Sequence, residues 1–281
     1  MKLRITLFLT MCAMLLMGFS LVRHYTKVRA EAEFNRDLAM LKETVAVADG
    51  KRVPVLVELF TSEGCSSCPP ADALLMQLDQ LQPIAGAEVI ALSQHVDYWN
   101  YIGWNDPYSS PFFSRRQEAY SLSFGGDRVY TPQMIVDGQR EFVGSRVAQA
   151  RDEIARAAGQ SKATVNIALL ASNPKDAQLE ITIENLPPRT STDTTEILLA
   201  IAENNLSSSV SRGENSGRKL AHTAVVRQMK VIGKLNANEK SFSFNHTIAI
   251  EKNWKRDNLK VVAFIQERDS RKVLGAASIK L

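Results

Sequence analysis

Residues 53–70 read VPVLVELFTSEGCSSCPP, an apolar and β-branched run that leads through a turn into a Cys-x-x-Cys motif. The composition and length of residues 53–60 predict a buried strand. Apolar residues then recur at steps of three and four, as in an amphipathic helix: Ala71, Leu74, Leu75, Leu78 and Leu81. Residues 89–93 predict a second strand. The order strand, helix, strand predicts a parallel βαβ unit with the cysteines at the start of its helix.

The segment at residues 95–130 is rich in aromatic residues and turn formers, and it predicts a helical insertion packed on the sheet, with a helix near residues 115–122. Residues 133–136 and 141–143 flank an Asp137-Gly138 pair, which is typical of a hairpin. We expect these elements to complete an α/β domain over residues 51–160.

A further helix is expected near the end of this domain. Ser145 is a suitable N-cap and Gly159 a suitable end for it.

The chain changes character from residue 161 onward, where short β-branched or alternating segments follow one another between turns. The predicted strands cover residues 164–170, 178–184, 196–202, 224–232, 241–250 and 260–266. This spacing favours an all-β, sandwich-like domain over residues 161–281.

Composition and charge narrow the class of protein. The chain has 281 residues, of which 45% are hydrophobic and 23% charged, as expected for a folded globular protein. Its formal net charge is +4, but the first 30 residues hold five basic side chains and no acid, so residues 31–281 carry a net charge of −1. A nucleic-acid-binding protein keeps its basic surface, and we therefore expect no nucleic acid as a partner.

The N-terminus reads as a targeting segment. Lys2 and Arg4 precede eighteen uncharged residues, 5–22, rich in Leu, Met and Phe. This pattern predicts a signal peptide or membrane anchor over residues 1–30, followed by a tether over residues 31–50. We expect an exported protein, periplasmic or secreted, with possible attachment to the inner membrane through this segment.

Cys65 and Cys68 are the whole thiol inventory after the targeting segment, since the third cysteine is Cys12. A helix N-terminus favours a thiolate, so we expect Cys65, at or before it, to be the attacking thiol and Cys68, one turn inside, the resolving one. A structural disulfide and a metal site remain alternatives, although a zinc site would need two further ligands.

The loop after the second strand of a βαβ unit opens at the same sheet edge as the cysteines. It contains His95, Asp97 and Trp99, which together with Thr131 are candidates for a proton shuttle or a pocket. Farther along the chain, residues 213–217 form a turn-rich loop in which Arg212, Glu214 and Arg227 are candidates for an ion-paired lid.

Several motifs together resemble a known family. They are the segment from Glu58 to Asp72, His95-Val96-Asp97-Tyr98-Trp99, Trp104-Asn105-Asp106-Pro107, Tyr130-Thr131-Pro132-Gln133, and Arg212-Gly213-Glu214-Asn215 through Leu220, His222 and Val225-Val226-Arg227. The chain resembles the secreted proteobacterial proteins of the domain of unknown function 1223 family and, more broadly, the thioredoxin-like superfamily. The resemblance implies a thioredoxin-like domain in which Pro132, after Thr131, is cis and faces the cysteines. The Ser66-Ser67 pair differs from the Gly-Pro pair of thioredoxin, so the redox direction stays open.

These observations predict an exported thiol-disulfide oxidoreductase that exchanges a disulfide through Cys65 and Cys68, with Pro132 in the active site. The expected partner is a protein thiol or disulfide, and no cofactor is expected beyond the redox-active disulfide. One alternative is a copper- or other metal-binding module that uses Cys65, Cys68 and His95. Another is a non-catalytic interaction protein on a thioredoxin scaffold.

Overall fold

The computed structural model describes residues 22, 25–26, 28–41, 52–187, 193–235 and 241–281. No helix in these parts of the chain is long and apolar enough to cross a membrane. Residues 1–21 of the predicted targeting segment lie outside the described residues. Residues 28–30 of that segment are helical. Of the predicted tether, residues 31–41 continue that helix, while residues 42–50 lie outside the described chain.

The described elements form a mixed α/β structure with four α-helices and thirteen strands. The helices are α1 (28–41), α2 (Pro69–Leu81), α3 (Pro111–Ser123) and α4 (Val147–Ala158). The first seven strands are β1 (Val53–Thr61), β2 (Ala87–His95), β3 (Gln133–Val136), β4 (Arg140–Val143), β5 (Thr164–Ser172), β6 (Asp176–Glu184) and β7 (Thr195–Glu203). The remaining six are β8 (Leu206–Ser209), β9 (Lys219–His222), β10 (Val225–Leu235), β11 (Phe242–Ala249), β12 (Leu259–Glu267) and β13 (Val273–Lys280).

An eight-stranded sheet in the order β13-β12-β7-β10-β2-β1-β3-β4 organises the molecule. Strands β1 and β2 are parallel over nine residue pairs, from Val53 opposite Ala87 to Thr61 opposite His95. The predicted parallel βαβ unit is thus confirmed. Strand β3 pairs antiparallel with β1 and continues into β4, as the hairpin prediction requires. The ends of β1 and β2 therefore meet at one edge of the sheet, beside the loop that carries the cysteines.

Alternation along β1 divides its side chains between two layers. Val55, Val57 and Leu59 pack against helices α1, α2 and α4 in one buried cluster. Phe60, on the other face, packs with Tyr120 of the insertion. Burial of both faces explains why β1 reads as a continuous apolar run.

A buried ion pair lies on the second face of β1. The Glu58 carboxylate accepts hydrogen bonds from Arg116 Nε at 2.8 Å and from Gln94 Nε2 at 2.6 Å. It also accepts one from the Tyr120 hydroxyl. These contacts fix α3 against the sheet and satisfy a carboxylate that is 1% exposed.

Strands from the second half of the chain extend the same sheet. Strand β10 pairs with β2 through Val225 and Ser93, and β7, β12 and β13 continue outward from it. A separate three-stranded sheet, β11-β6-β5, packs on these strands through a buried cluster that includes Ile181, Ile201 and Val261. The large sheet thus crosses the predicted boundary at residue 160, and the division into two domains stays a prediction.

Two local predictions are wrong. Helix α4 has Arg146 as its N-cap, with no side-chain hydrogen bond there, so Ser145 lies one residue before the cap. The strand prediction after residue 161 also omitted β8, β9 and β13. Strand β8 reads LSSS and β9 reads KLAH, and four-residue segments this polar give no clear alternation.

Candidate functional site

A disulfide joins Cys65 and Cys68 between the end of β1 and the start of α2. Cys65 is 1% exposed and Cys68 is fully buried, whereas Ser66 and Ser67 between them are exposed. Cys68 is the N-cap of α2, so the prediction that placed it one turn inside the helix is wrong. The helix begins only at Pro69 because proline fits the first helical position.

The N–H groups at the start of α2 are not free donors for a thiolate. Pro69 and Pro70 have no N–H group. The N–H groups of Ala71 and Asp72 both donate to the Cys68 carbonyl oxygen, at 2.9 and 3.1 Å. Stabilisation of a thiolate at this helix end therefore depends on the helix dipole and on the amides of the Cys65–Cys68 loop.

The Thr131-Pro132 segment faces the disulfide from the start of β3. The peptide bond between the two residues is cis, which confirms that part of the prediction. The Thr131 carbonyl oxygen lies 3.8 Å from Cys65 Sγ, and the Thr131 hydroxyl accepts a hydrogen bond from Trp99 Nε1 at 2.8 Å. Thr131 and Trp99 are thus brought together beside Cys65, and Pro132 follows Thr131 across the cis bond.

His95 lies at the end of β2, where its side chain contacts the buried carboxylate of Asp106. Its Nδ1 atom is 2.7 Å from Asp106 Oδ2, and neither side chain is exposed. Burial works to raise the pKa of Asp106, but His95 and the backbone N–H groups of Glu63 and Tyr108 outweigh it, so the pKa lies below its usual value. Hydrogen bonds from His95 and from the Glu63 N–H to Asp106 therefore connect His95 to residues 62–68, which we call the cysteine loop.

Asp97 holds the insertion in place. Its carboxylate accepts one hydrogen bond from the Ser114 hydroxyl on α3, and its own backbone N–H donates to that hydroxyl at 3.2 Å. The structure thus places Asp97 against α3, while Thr131 and Trp99 lie at the disulfide.

A second histidine, which the prediction of site residues missed, lies under the cysteine loop. The buried Glu63 carboxylate binds His222 Nε2 at 3.0 Å and the Trp104 indole N–H at 2.8 Å. The rings of His222 and His95 are in edge contact, with centroids 4.8 Å apart. Glu63 and His222 are 159 residues apart in the chain, so no local spacing could have indicated this pair.

The loop at residues 213–217 does lie over the cysteines, but its contacts are not those of an ion-paired lid. Glu214 and Asn215 contact the cysteine loop. Arg227 instead lies 3.6 Å from the Glu203 carboxylate and over the Tyr108 ring.

Asp72 provides a titratable group in the first turn of α2. The side chain is 7% exposed, and its Oδ1 atom has no hydrogen-bond partner in the described chain. Burial raises the pKa of Asp72 to about 7, with His222 partly opposing the rise. Asp72 can therefore gain or lose a proton near neutral pH, just beyond Cys68 in the sequence.

Metal-ligating side chains do not converge in the parts of the chain that the structure describes. Within those residues, no group of three or more His, Cys, Asp or Glu side chains is arranged to hold a metal ion. His95 Nδ1 is taken up by Asp106, and both cysteines are in the disulfide. The metal-binding alternative stays a prediction.

The fold and the site together define a mixed α/β protein with a disulfide at the junction of a central strand and a helix. The chain belongs to the family described as "Protein of unknown function (DUF1223)", which matches residues 56–266. No curated protein matches the chain.

Two solved structures are similar to this chain. A crystal structure of a protein from Agrobacterium tumefaciens is 25% identical, with a TM-score of 0.64, and the match covers 82% of this chain and 96% of that one. The structure of HBP35 of Porphyromonas gingivalis is 16% identical, with a TM-score of 0.57 over 83% of this chain and 76% of that one. At this identity the second match concerns the fold alone.

Proposed function

We propose that this protein is an exported thiol-disulfide oxidoreductase whose first half is a thioredoxin-like domain. The observation that carries the proposal is the Cys65–Cys68 disulfide between β1 and α2, with the Thr131 carbonyl oxygen 3.8 Å from Cys65 Sγ. A backbone carbonyl beside a reactive sulfur gives a substrate segment a group to bind while its own sulfur approaches Cys65.

The position of the disulfide favours a redox role over a structural one. A bridge that spans three positions closes a very small loop and removes little conformational entropy from the unfolded chain. Ser66 and Ser67, the two residues that follow Cys65 in the chain, are exposed. The dipole of α2 favours negative charge at this end of the helix.

The proposed reaction is exchange with a protein dithiol. A substrate thiolate attacks Cys65 Sγ, the Cys65–Cys68 bond breaks, and Cys68 leaves as a thiolate. A second substrate thiolate then attacks the substrate sulfur of the mixed disulfide and releases Cys65 as a thiolate. The substrate loses two electrons and becomes a disulfide, while the cysteine pair gains them. With a disulfide substrate, the same steps run in reverse.

Export supports this chemistry because protein disulfides persist outside the cytoplasm. The basic and apolar segment at residues 2–22 is the basis for this part of the proposal. The same segment gives a route for attachment to the membrane if it is retained.

Trapping with a Cys68→Ser variant tests the proposed reaction. A substrate disulfide attacked by Cys65 gives a mixed disulfide that Cys68 normally resolves, so we expect Cys68→Ser to accumulate it as an adduct on non-reducing gels that reductant removes. The matched control is the double variant Cys65→Ser/Cys68→Ser, which should form none. Mass spectrometry of the adducts identifies the partners and their compartment.

Two outcomes contradict the proposal. If Cys68→Ser forms no more adduct than the double variant in the source cell, the oxidoreductase assignment is wrong. If the trapped partners are all cytoplasmic proteins, the chain is not exported.

A further inference from the structure

The β8–β9 hairpin places its tip, residues 210–218, against the cysteine loop. The tip is closed by hydrogen bonds from Val210 N to Arg218 O at 2.9 Å and from Gly217 N to Val210 O at 2.8 Å. Asn215 is fully buried beneath it, and its side-chain amide donates to the carbonyl oxygens of Glu63 at 2.8 Å and Cys65 at 2.9 Å. The tip is thereby fixed relative to Cys65.

Glu214 on the same tip reaches the backbone between the two cysteines. The Ser66 N–H donates to Glu214 Oε2 at 3.0 Å. Hydrogen bonding by Ser66 keeps the pKa of Glu214 below its usual value, so the carboxylate is ionised at neutral pH. The Ser66 N–H belongs to the Cys65–Ser66 peptide unit, and a negative charge is therefore held one peptide unit from Cys65.

This contact opposes a thiolate at Cys65 in two ways. A like charge nearby disfavours the ionised form of a group. The carboxylate also occupies the Ser66 N–H, an amide of the loop that otherwise has the polarity to stabilise a thiolate. Because Pro69 and Pro70 remove two N–H groups from the start of α2, this amide counts for more here than at an ordinary helix N-terminus.

We propose that Glu214, held in place by Asn215, destabilises the Cys65 thiolate and so makes the Cys65–Cys68 disulfide harder to reduce. The proposal rests on the proposed redox function and adds a direction to it. A pair whose reduced form is less stable passes its two electrons more readily to a substrate disulfide. Glu214 would be a positioning residue that tunes the potential and is itself neither oxidised nor reduced.

Because Glu214 is exposed, the effect of its charge on the Cys65 thiolate should depend on the salt concentration. Salt screens the charge of exposed Glu214, although less than in a pair of exposed groups because Cys65 is buried; at about 1 M salt the Debye length is only about 3 Å. An effect of charge should therefore weaken as salt is added, while a change in packing should not.

The test compares the redox equilibrium of the full chain with glutathione in wild type, Glu214→Gln and Glu251→Gln. Glutamine keeps an oxygen that accepts the Ser66 N–H and removes only the charge, and Glu251 is an exposed carboxylate in the loop between β11 and β12. At low salt, we expect Glu214→Gln to favour the reduced form about threefold to tenfold more than wild type, a tenfold change being about 30 mV. The difference should shrink at high salt, and the control should match wild type.

The proposal would be overturned if the redox equilibrium constant of Glu214→Gln with glutathione lay within twofold of the wild-type value at low salt. It would also be overturned if the difference between the two constants did not depend on salt.

A second measurement separates this inference from the proposed function. In a Cys12→Ser/Cys68→Ser background reduced with a phosphine, Cys65 is the one cysteine left in the sequence, and the ultraviolet absorbance of its thiolate can be followed against pH even if glutathione does not reduce the wild-type pair. A Cys65 pKa that falls on adding Glu214→Gln supports the inference, whereas an unchanged pKa overturns it. Failure of wild type to exchange with glutathione would instead count against the oxidoreductase assignment.

Discussion

Replacing Cys65 with serine is expected to abolish disulfide exchange, with a rate reduced on the order of a thousandfold or more. In the proposed reaction, the Cys65 sulfur forms the mixed disulfide with the substrate. Cys65 lies in the loop before α2, and its Sγ atom is 3.8 Å from the Thr131 carbonyl oxygen. Cys68, the N-cap of α2, is the leaving and resolving sulfur in the proposed reaction. The measurement is the rate at which the chain exchanges with a fluorescent peptide containing two cysteines.

Controls for this prediction separate chemistry from folding. With the peptide supplied as its disulfide, reduced Cys68→Ser should attack it through Cys65 and then stall as a mixed disulfide, because no resolving thiol remains. Ser161→Ala, at an exposed position before β5, should exchange at the wild-type rate. Loss of so small a disulfide loop costs little stability, so both cysteine variants should fold. If Cys65→Ser retained exchange, the attacked sulfur would be Cys68 and the assignment of roles would be reversed.

Replacing Asp72 with asparagine is expected to stabilise the protein in alkaline solution. Burial raises the pKa of Asp72 from 3.8 to about 7 in the folded chain, so its proton is held more tightly there than in the unfolded chain. The stability that wild type gains from the protonated carboxyl is complete below about pH 4 and is lost as the pH rises through 7. Asparagine does not titrate, and Asp72→Asn should exceed wild type by up to about 4 kcal/mol at about pH 8.

Urea unfolding of the oxidised chain at about pH 4 and pH 8 measures this difference. The two proteins should be nearly equal at the lower pH and diverge at the higher one. Asp127→Asn is the control, since the Asp127 side chain is 92% exposed and should give no such divergence. A difference between Asp72→Asn and wild type that is the same at both pH values would show that the Asp72 carboxyl is ionised in the folded protein at little cost.

Local patterns were sufficient to predict the elements around the cysteines. The apolar run of β1 and the three- and four-residue spacing in α2 are properties of consecutive residues, and both elements lie where these patterns placed them. Chain reversal at Asp137-Gly138 also depends on neighbouring residues alone, and β3 and β4 flank it as predicted. The position of Thr131 beside Cys65 then follows from the antiparallel pairing of β3 with β1.

The contacts beneath and above the disulfide could not be predicted in this way. His222 reaches Glu63, and Asn215 reaches Cys65, only because the chain passes from β9 into β10 next to β2. That pairing joins segments far apart in sequence and depends on the assembly of the whole sheet. A polar residue such as Asn215 in a turn-rich segment indicates only a turn until its partner is known.

The reduction potential of the wild-type Cys65–Cys68 pair distinguishes a redox-active disulfide from a structural one. The purified chain would be equilibrated in glutathione and dithiothreitol buffers of graded potential, and the fractions of dithiol and disulfide would be read by alkylation and mass spectrometry. For an oxidoreductase, we expect a reversible two-electron transition with a midpoint above about −300 mV, the range of exchangeable disulfides. A disulfide that stays oxidised until more negative potentials would be structural, and the oxidoreductase assignment would be contradicted.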